Sequence, residues 1–415
     1  MGVGSMRLLS IPVSLASSVI LARVLGPTQF GQYAFILALI PLLAWPASGG
    51  TSVLITREVA KYAHARLWGH YKGLLRFNHG WVVAYSLLLI AIVLVAARAT
   101  ETPADGKWSL LPIAALVVPF LGLNAVLNGT LKGLGFPGGA EAPTQIVQPG
   151  VFLVFVSLFA LYGQLTPRLA LSGQVVAAGI AFLVAAVLYR AHRPGTTADQ
   201  QAVYSRREWT ASLVPITMNV FVRTLNAQVG ILMLGFLASD ESVAALRIAD
   251  RGAQLVVLSL TIVNVVIGPH IVRCQADGDT ERLQRLARQS ARYAFLIAAP
   301  ITLVFVVFGK PILGFVFGGQ YAGSSYLPLV VLAVGQLASV FFGSVGYLLT
   351  MSGREVDTLR GQGIALVVTV LACAALIPFY DAVGAALGMS IGLLAWNIIL
   401  ARQVFQHLGI RSAAY

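Results

Sequence analysis

The sequence predicts an all-α membrane protein, with about twelve transmembrane helices in two six-helix lobes around a central cavity. Three observations carry that prediction. First, 58% of the 415 residues are hydrophobic and only 10% are charged, whereas a soluble domain carries roughly 25% charged residues. A larger core cannot absorb the gap, because a soluble fold still needs a polar surface. Second, the apolar runs are long and continuous, and roughly 20 apolar residues span a bilayer as a helix. A β-barrel would show alternating ten-residue segments, and open sheets would leave backbone groups unpaired in lipid. Third, the first and seventh span junctions look alike. LARVLGPTQFGQYA at 21–34 and LMLGFLASDESVAA from Leu232 both read apolar run, short polar break, apolar run. Six spans separate them, so both halves enter the membrane with one orientation, as in parallel repeats about the membrane normal. The alternative is that any two spans joined by a tight turn look alike.

Taken in order, spans are expected near 8–25, 30–56, 79–97, 109–131, 144–163, 167–189, 209–237, 242–269, 292–309, 324–350, 362–380 and 383–401. The run beginning at Met1 has a basic residue and then apolar ones, like a signal peptide. More spans follow instead of a secreted domain, so it reads as the first span. The halves are expected as an N-terminal lobe 1–195, a cytoplasmic linker 196–208 and a C-terminal lobe 209–415. The charged connections near 190–208 and 270–291 have room for short surface helices.

Orientation follows from the basic residues. With the N-terminus in the cytoplasm, the inner side collects twenty Lys and Arg and the outer side four: Arg98, Lys107, Arg168 and Lys310. That asymmetry fits an even number of spans in the inner membrane with both ends cytoplasmic. It also accounts for the net charge of +13, which in a soluble protein would point to nucleic acid; no nucleic-acid partner is expected here. Cys274, in an expected cytoplasmic connection, and Cys373, inside a span, have no disulfide or metal spacing. The six histidines are scattered. No metal, cofactor or catalytic residue is expected. P-loop and H-E-x-x-H patterns are absent from the sequence, and LKGLGFPGG at 131–139 lacks the G-K-[ST] ending of a phosphate loop.

Four cations remain inside or at the ends of spans: Arg23, Arg223, Arg247 and Arg251. An arginine at bilayer depth costs about 2.5–3.5 kcal/mol on insertion scales, so it usually faces a cavity or a partner. Arg223 lies mid-span with no acid near it, and Asn219, Arg223 and Asn226 fall at i, i+4, i+7 on one helical face. For the asparagines a helix–helix hydrogen-bonding seam competes equally. Arg247, Asp250, Arg251 and Gln254 share another face, where Asp250 can pair with either arginine. Arg23 ends the first span and is expected to snorkel. Asn124, Asn128 and Lys132 make a further stripe, with Gln145 and Gln148 opening the fifth span and Ser10, Ser14, Ser17 and Ser18 on the first. Packing seams and a hydrated path are both open for these.

Arginine presents a rigid fork of donors that matches phosphate bidentately. A cavity lined by Arg223, Arg247 and Arg251 together with Asn219, Asn226, Asn124 and Asn128 should attract an anionic, hydroxyl-rich solute. A polyprenyl pyrophosphate bearing sugars has those properties, with a lipid tail left in the bilayer. A cationic solute would want a buried acid, for which Asp250 is the candidate as a coupling group.

Several segments resemble one family, in order, from about residue 20 to 361. LARVLGPTQFGQYAFILALIPLLA carries A-R-x-L-G-P followed by F-G-x-Y. LITREVAKY, LKGLGFPGGAEAPTQIVQPGVFL, IVRCQADGDTERLQRLARQSARY, ILGFVFGGQYAGSSYLPLVVLAVGQL and YLLTMSGRE follow at matching places. Together they resemble the polysaccharide-biosynthesis and O-antigen flippases of the multidrug/oligosaccharidyl-lipid/polysaccharide (MOP) exporter superfamily. The resemblance implies two six-span lobes alternating between inward- and outward-open states. It also implies transport of undecaprenyl-pyrophosphate-linked repeat units for O-antigen, capsule or exopolysaccharide. Partners would be the lipid-linked sugar, membrane lipids and polysaccharide assembly proteins.

The sequence departs from the family in three places. Gln228-Val229-Gly230-Ile231 stands where many relatives carry an Asp, Val243-Ala244-Ala245 replaces the second G-x-Y, and the two extra C-terminal spans of lipid II flippases are missing. The alternative within the superfamily is a cation-coupled multidrug antiporter that depends on Asp250. A polysaccharide polymerase or ligase would need a sizeable outer loop, and the expected outer loops are short.

Overall fold

A computed structural model of the protein describes residues 3–99, 106–195, 200–276, 279–351, 354–410 and 414. Residues 196–199 of the expected linker, Arg411 among the expected cytoplasmic charges, and Ser352 and Gly353 of the YLLTMSGRE segment lie outside the described residues. So does the side chain of Arg7.

Among the described residues there is no strand. The helices run α1 Val3–Ser48, α2 Thr51–His64, α3 Trp68–Ala99, α4 Leu111–Ala115, α5 Val118–Gly133, α6 Pro137–Ala142, α7 Gln148–Leu161 and α8 Pro167–His192. They continue with α9 Arg206–Leu237, α10 Asp240–Ala276, α11 Thr280–Phe317, α12 Gly319–Ala322, α13 Tyr326–Phe342, α14 Val345–Met351 and α15 Glu355–Leu408. A short 3₁₀ turn, Lys107–Leu110, leads into α4, and a π turn, Pro143–Val147, leads into α7. Eight helical stretches among the described residues are long and apolar enough to cross a membrane. The first and last of these each hold two spans; with α10 and the shorter α13, twelve spans result.

The two double spans are divided at backbone breaks. Gly26 has φ 74° and ψ 173°, a region that only glycine enters without strain. Pro27 then presets the next helical turn. Asp381, at φ 46° and ψ −124°, breaks α15, between the expected spans 362–380 and 383–401. Elsewhere local signals set the ends. Thr166 caps α8, its hydroxyl accepting from the Leu169 N–H at 3.2 Å, with Pro167 in the first turn. Asp279 caps α11, accepting from the Arg282 N–H at 2.8 Å.

By contacts the chain resolves into two compact units, Met1–Leu25 with Phe35–Thr224, and Gly26–Ala34 with Leu225–Tyr415. In lipid no hydrophobic force drives helices together, so close packing and interhelical hydrogen bonds hold each unit. In the first unit Trp209, 1% exposed, sits in a core with Leu54, Ile55, Tyr71 and Leu74, and its indole donates to the Tyr62 hydroxyl at 2.9 Å. The Trp45 indole donates to the Thr217 carbonyl at 2.8 Å, and the Thr217 hydroxyl donates to the Gly49 carbonyl at 2.8 Å. In the second unit Ile271, Leu283, Leu348 and Leu400 form a core, and Asn397 donates to Ser339 at 2.9 Å. The division runs through α9: Thr217 is bonded within the first unit, whereas Asn226 donates to the Gln362 carbonyl at 3.0 Å within the second.

The segment after the Gly26 break belongs to the second unit. Thr28 donates to Glu241, the Phe30 ring meets the Tyr321 ring edge-on at 6.4 Å, and both rings are buried. A Cβ on Gly31 would stand 1.8 Å from the Asp240 carbonyl oxygen. The F-G-x-Y of the sequence therefore has a packing reason. Phe30 and Tyr33 fill the interior, and Gly31 lets the backbone of α10 approach.

The structure revises three expectations. Helix α3 begins at Trp68 rather than near 79, so Lys72 and Arg76 are helical rather than loop residues. The 270–291 connection shrinks, because α10 runs to Ala276 and α11 starts at Thr280. Cys274 is accordingly in a helix, buried and free like Cys373. Two acids are buried in helices, Glu58 in α2 and Glu141 in α6, at 8% and 6% exposure.

Candidate functional site

The polar residues singled out on the seventh span all lie on α9. Asn219 and Asn226 are half-buried, while Arg223 is exposed on a helix whose neighbouring positions are largely apolar. Among the described residues no hydrogen bond or carboxylate reaches Arg223. Asn226 is bonded to Gln362 as above, and so has a part in a helix–helix seam.

On α10 the structure draws the expected group together. Arg247 Nη1 lies 4.0 Å from Asp250 Oδ2, with side-chain exposures of 12% and 19%. Gln254 Nε2 donates to Asp250 Oδ2 at 2.9 Å, and Arg251 Nη1 donates to Gln254 Oε1 at 3.3 Å. Arg247 thus faces the carboxylate directly and Arg251 is linked to it through Gln254, two guanidinium groups against one acid, leaving a net positive cluster. Arg251 Nε is buried with no partner among the described residues. A buried N–H without an acceptor costs about 1–3 kcal/mol, more when charged, so this cluster would gain from an added acceptor.

The remaining stripes are engaged mainly between helices. Asn124 donates to the Ala178 carbonyl at 3.3 Å, and its Oδ1 is buried with no hydrogen-bond partner among the described residues. Asn128 accepts from Ser52 at 2.8 Å and donates to the Ala140 carbonyl at 2.7 Å. Ser17 and Ser18 donate back to the Val13 and Ser14 carbonyls of their own helix. Arg23 is exposed at the end of the first span.

A further constellation escaped the sequence reading. Lys132 and Glu141 form an ion pair at 2.5 Å. Gln145 donates to the second oxygen of Glu141 at 3.3 Å, and Ser10 donates to Gln145 at 3.5 Å. The signal was present as a cation and an acid flanking LGFPGG, a turn that folds α6 back beside α5. Among the described residues no group of His, Cys, Asp and Glu is arranged to hold a metal ion.

Comparison with known proteins supplies the identity. The family model of polysaccharide biosynthesis proteins matches residues 3–275, about two thirds of the chain. The chain belongs to the polysaccharide biosynthesis protein family. A second model, MatE, matches residues 215–380 of this family member. Among solved structures it is similar to an inward-facing multidrug resistance MATE family transporter of the MOP superfamily, with TM-score 0.80, 14% identity and 98% of both chains covered. It is also similar to the lipid II flippase MurJ in an inward closed conformation, with TM-score 0.73, 14% identity, and 97% of this chain and 87% of that one covered. A third likeness is to a MOP superfamily transporter from Pyrococcus furiosus Vc1, with TM-score 0.65, 15% identity, and 98% and 95% covered. No protein of curated function matches the sequence. The family member is thus a multi-pass transporter of the MOP superfamily rather than an enzyme.

Proposed function

We propose that the protein is a flippase that moves a polyprenyl-pyrophosphate-linked oligosaccharide across the cytoplasmic membrane for surface polysaccharide synthesis. The observation that carries this reading is Arg223, an exposed guanidinium in the middle of a spanning helix with no carboxylate partner among the described residues. A permanent cation held at that depth wants an anion, and its planar fork suits a phosphate. Family membership and the unpaired Arg251 Nε support the same chemistry. In this reading Arg223, and separately Arg247 and Arg251, recognise pyrophosphate, while Asn219 and Asn226 meet hydroxyls. Both termini lie in the cytoplasm, and the lobes rock between inward- and outward-open states.

The test is Arg223→Ala in the native host. Surface polysaccharide should be lost while the protein still reaches the membrane at normal abundance, and Arg223→Lys should restore little. Normal polysaccharide in the alanine variant would remove Arg223 from the mechanism. The second reading, a cation-coupled multidrug antiporter, draws on the likeness to the MATE family structure. It requires raised drug resistance on overexpression and an essential Asp250.

A further inference from the structure

Away from α9 and α10, the first unit holds a cavity of about 450 Å³ where the start of α3 meets the end of α8. Tyr71, Lys72, Arg76 and His79 line it from α3, and Tyr189 and Arg193 line it from the last turn of α8 and just beyond. Three cations face it and no carboxylate does. Among the described residues neither Arg76 nor Arg193 is paired with an acid, and both are exposed at its rim.

Two further groups shape what fits. Tyr71 OH lies 3.3 Å from Tyr189 OH, so when Tyr71 donates, the Tyr189 proton is left to point at an occupant. His79 Nδ1 lies 2.7 Å from the Leu75 carbonyl oxygen. A carbonyl only accepts, so Nδ1 carries the proton. In the neutral ring Nε2 is then an acceptor, suited to a hydroxyl. Beyond the pocket, the stripe of α3 that continues from His79 presents Val83, Leu87 and Leu94 at 45%, 63% and 48% exposure, an apolar face along which a hydrocarbon tail can lie.

Lys72 is also tied to the connector that follows α8. Its Nζ donates to the Gln200 carbonyl at 3.0 Å, and the Val203 N–H donates to the Gly69 carbonyl at 3.0 Å. A Cβ on Gly73 would stand 1.9 Å from the Val203 carbonyl oxygen. The connector thus lies on a glycine-lined strip of α3 beside the pocket, and Lys72 is held at the rim.

We infer that this pocket is a second phosphate-recognition site, taking the phosphorylated, hydroxyl-bearing headgroup of a lipid whose tail runs along α3. Arg76 and Arg193 grip the phosphate, Tyr189 donates to it, and His79 accepts from a headgroup hydroxyl. The chemistry is shared by two sources, an anionic phospholipid of the membrane and a polyprenyl diphosphate. The site does not depend on the flippase reading.

The experiment uses the purified full chain carrying Arg223→Ala, so that the cation of the proposed transport site does not contribute. Binding of phosphatidylglycerol, farnesyl diphosphate and uncharged diacylglycerol is followed by native mass spectrometry. Each is measured with and without the added pair Arg76→Gln and Arg193→Gln. These exposed positions should leave the melting temperature nearly unchanged, and Arg76→Lys with Arg193→Lys serves as a charge-conserving control. The pair of glutamines should weaken at least one phosphorylated lipid tenfold or more, leave diacylglycerol unchanged, and be largely reversed by the lysines. Loss confined to phosphatidylglycerol identifies a membrane lipid as the source, and loss confined to farnesyl diphosphate identifies the diphosphate. Unchanged binding of both overturns the site.

Discussion

Lys132 Nζ meets Glu141 Oε1 at 2.5 Å across the turn that joins α5 to α6, with side-chain exposures of 29% and 7%. Removing one member of a buried pair leaves the other charge uncompensated, which costs more than replacing both. Because Lys132 is partly exposed, Glu141→Gln should destabilise by only about 2 kcal/mol, below the fully buried range. Glu141→Leu with Lys132→Met should cost less than the sum of its single changes. A double-mutant cycle on thermal unfolding in detergent measures the coupling, and additive singles would show that the pair contributes nothing.

Trp209 fixes the start of α9 in the first unit through its full burial and its bond to Tyr62. Trp209→Phe should cost about 1 kcal/mol from the lost hydrogen bond, in addition to a smaller ring. Trp209→Ala should cost about 3–5 kcal/mol. Melting temperatures of the purified variants check the order.

Gly31→Ala should fail through overpacking, because the added methyl meets the Asp240 carbonyl backbone rather than a flexible side chain. The expected penalty is about 1–3 kcal/mol or more, seen as lower yield of folded protein. Gly139, which has open space around it, should tolerate the same change.

Glu241 lies in the first turn of α10, ahead of the expected span. The Thr28 hydroxyl bonded to its carboxylate holds its pKa below the usual value. A depressed carboxylate pKa stabilises the fold above the unfolded value, about 4.3 for Glu, and that contribution fades as pH falls through the folded value. Thr28→Val should therefore lower the melting temperature at pH 7, and the gap from the unaltered protein should close below about pH 4. Thr28→Ser should behave like threonine. A gap independent of pH would assign the effect to packing.

Asp250→Asn separates the two transport readings. A carboxamide oxygen still accepts from Gln254, so a flippase relying on cations should keep surface polysaccharide, while a cation-coupled antiporter should lose drug export. Measuring both in the same cells decides between them.

Much of the architecture was legible because lipid imposes so narrow a rule: continuous apolar runs become helices, and the break at Asp381 fell between two expected spans. The start of α3 was misread because Lys72 and Arg76 look like loop residues by hydropathy. Only the i, i+4 and i+7 spacing of Lys72, Arg76 and His79, with Tyr71 just before and Leu75 between, reveals the helical face that lines the pocket. The α10 cluster was readable from spacing on one helix. The Lys132–Glu141 pair was not, since it depends on how a Gly-Pro turn folds back. The role of Gly31 was hidden too, because its neighbour, Asp240, lies more than two hundred positions along the chain.

The break at Gly26 has a consequence for dissection. Nine residues of the N-terminal double span, Gly26–Ala34, belong by contacts to the later half, so the polypeptide passes from one unit to the other and back there, and changes unit a third time after Thr224. Cutting the connector around residue 200 would not yield autonomous pieces. The downstream fragment alone would leave Glu241 without its hydroxyl donor and Tyr321 without its ring neighbour, and would regain both only when the upstream fragment is made in the same cell.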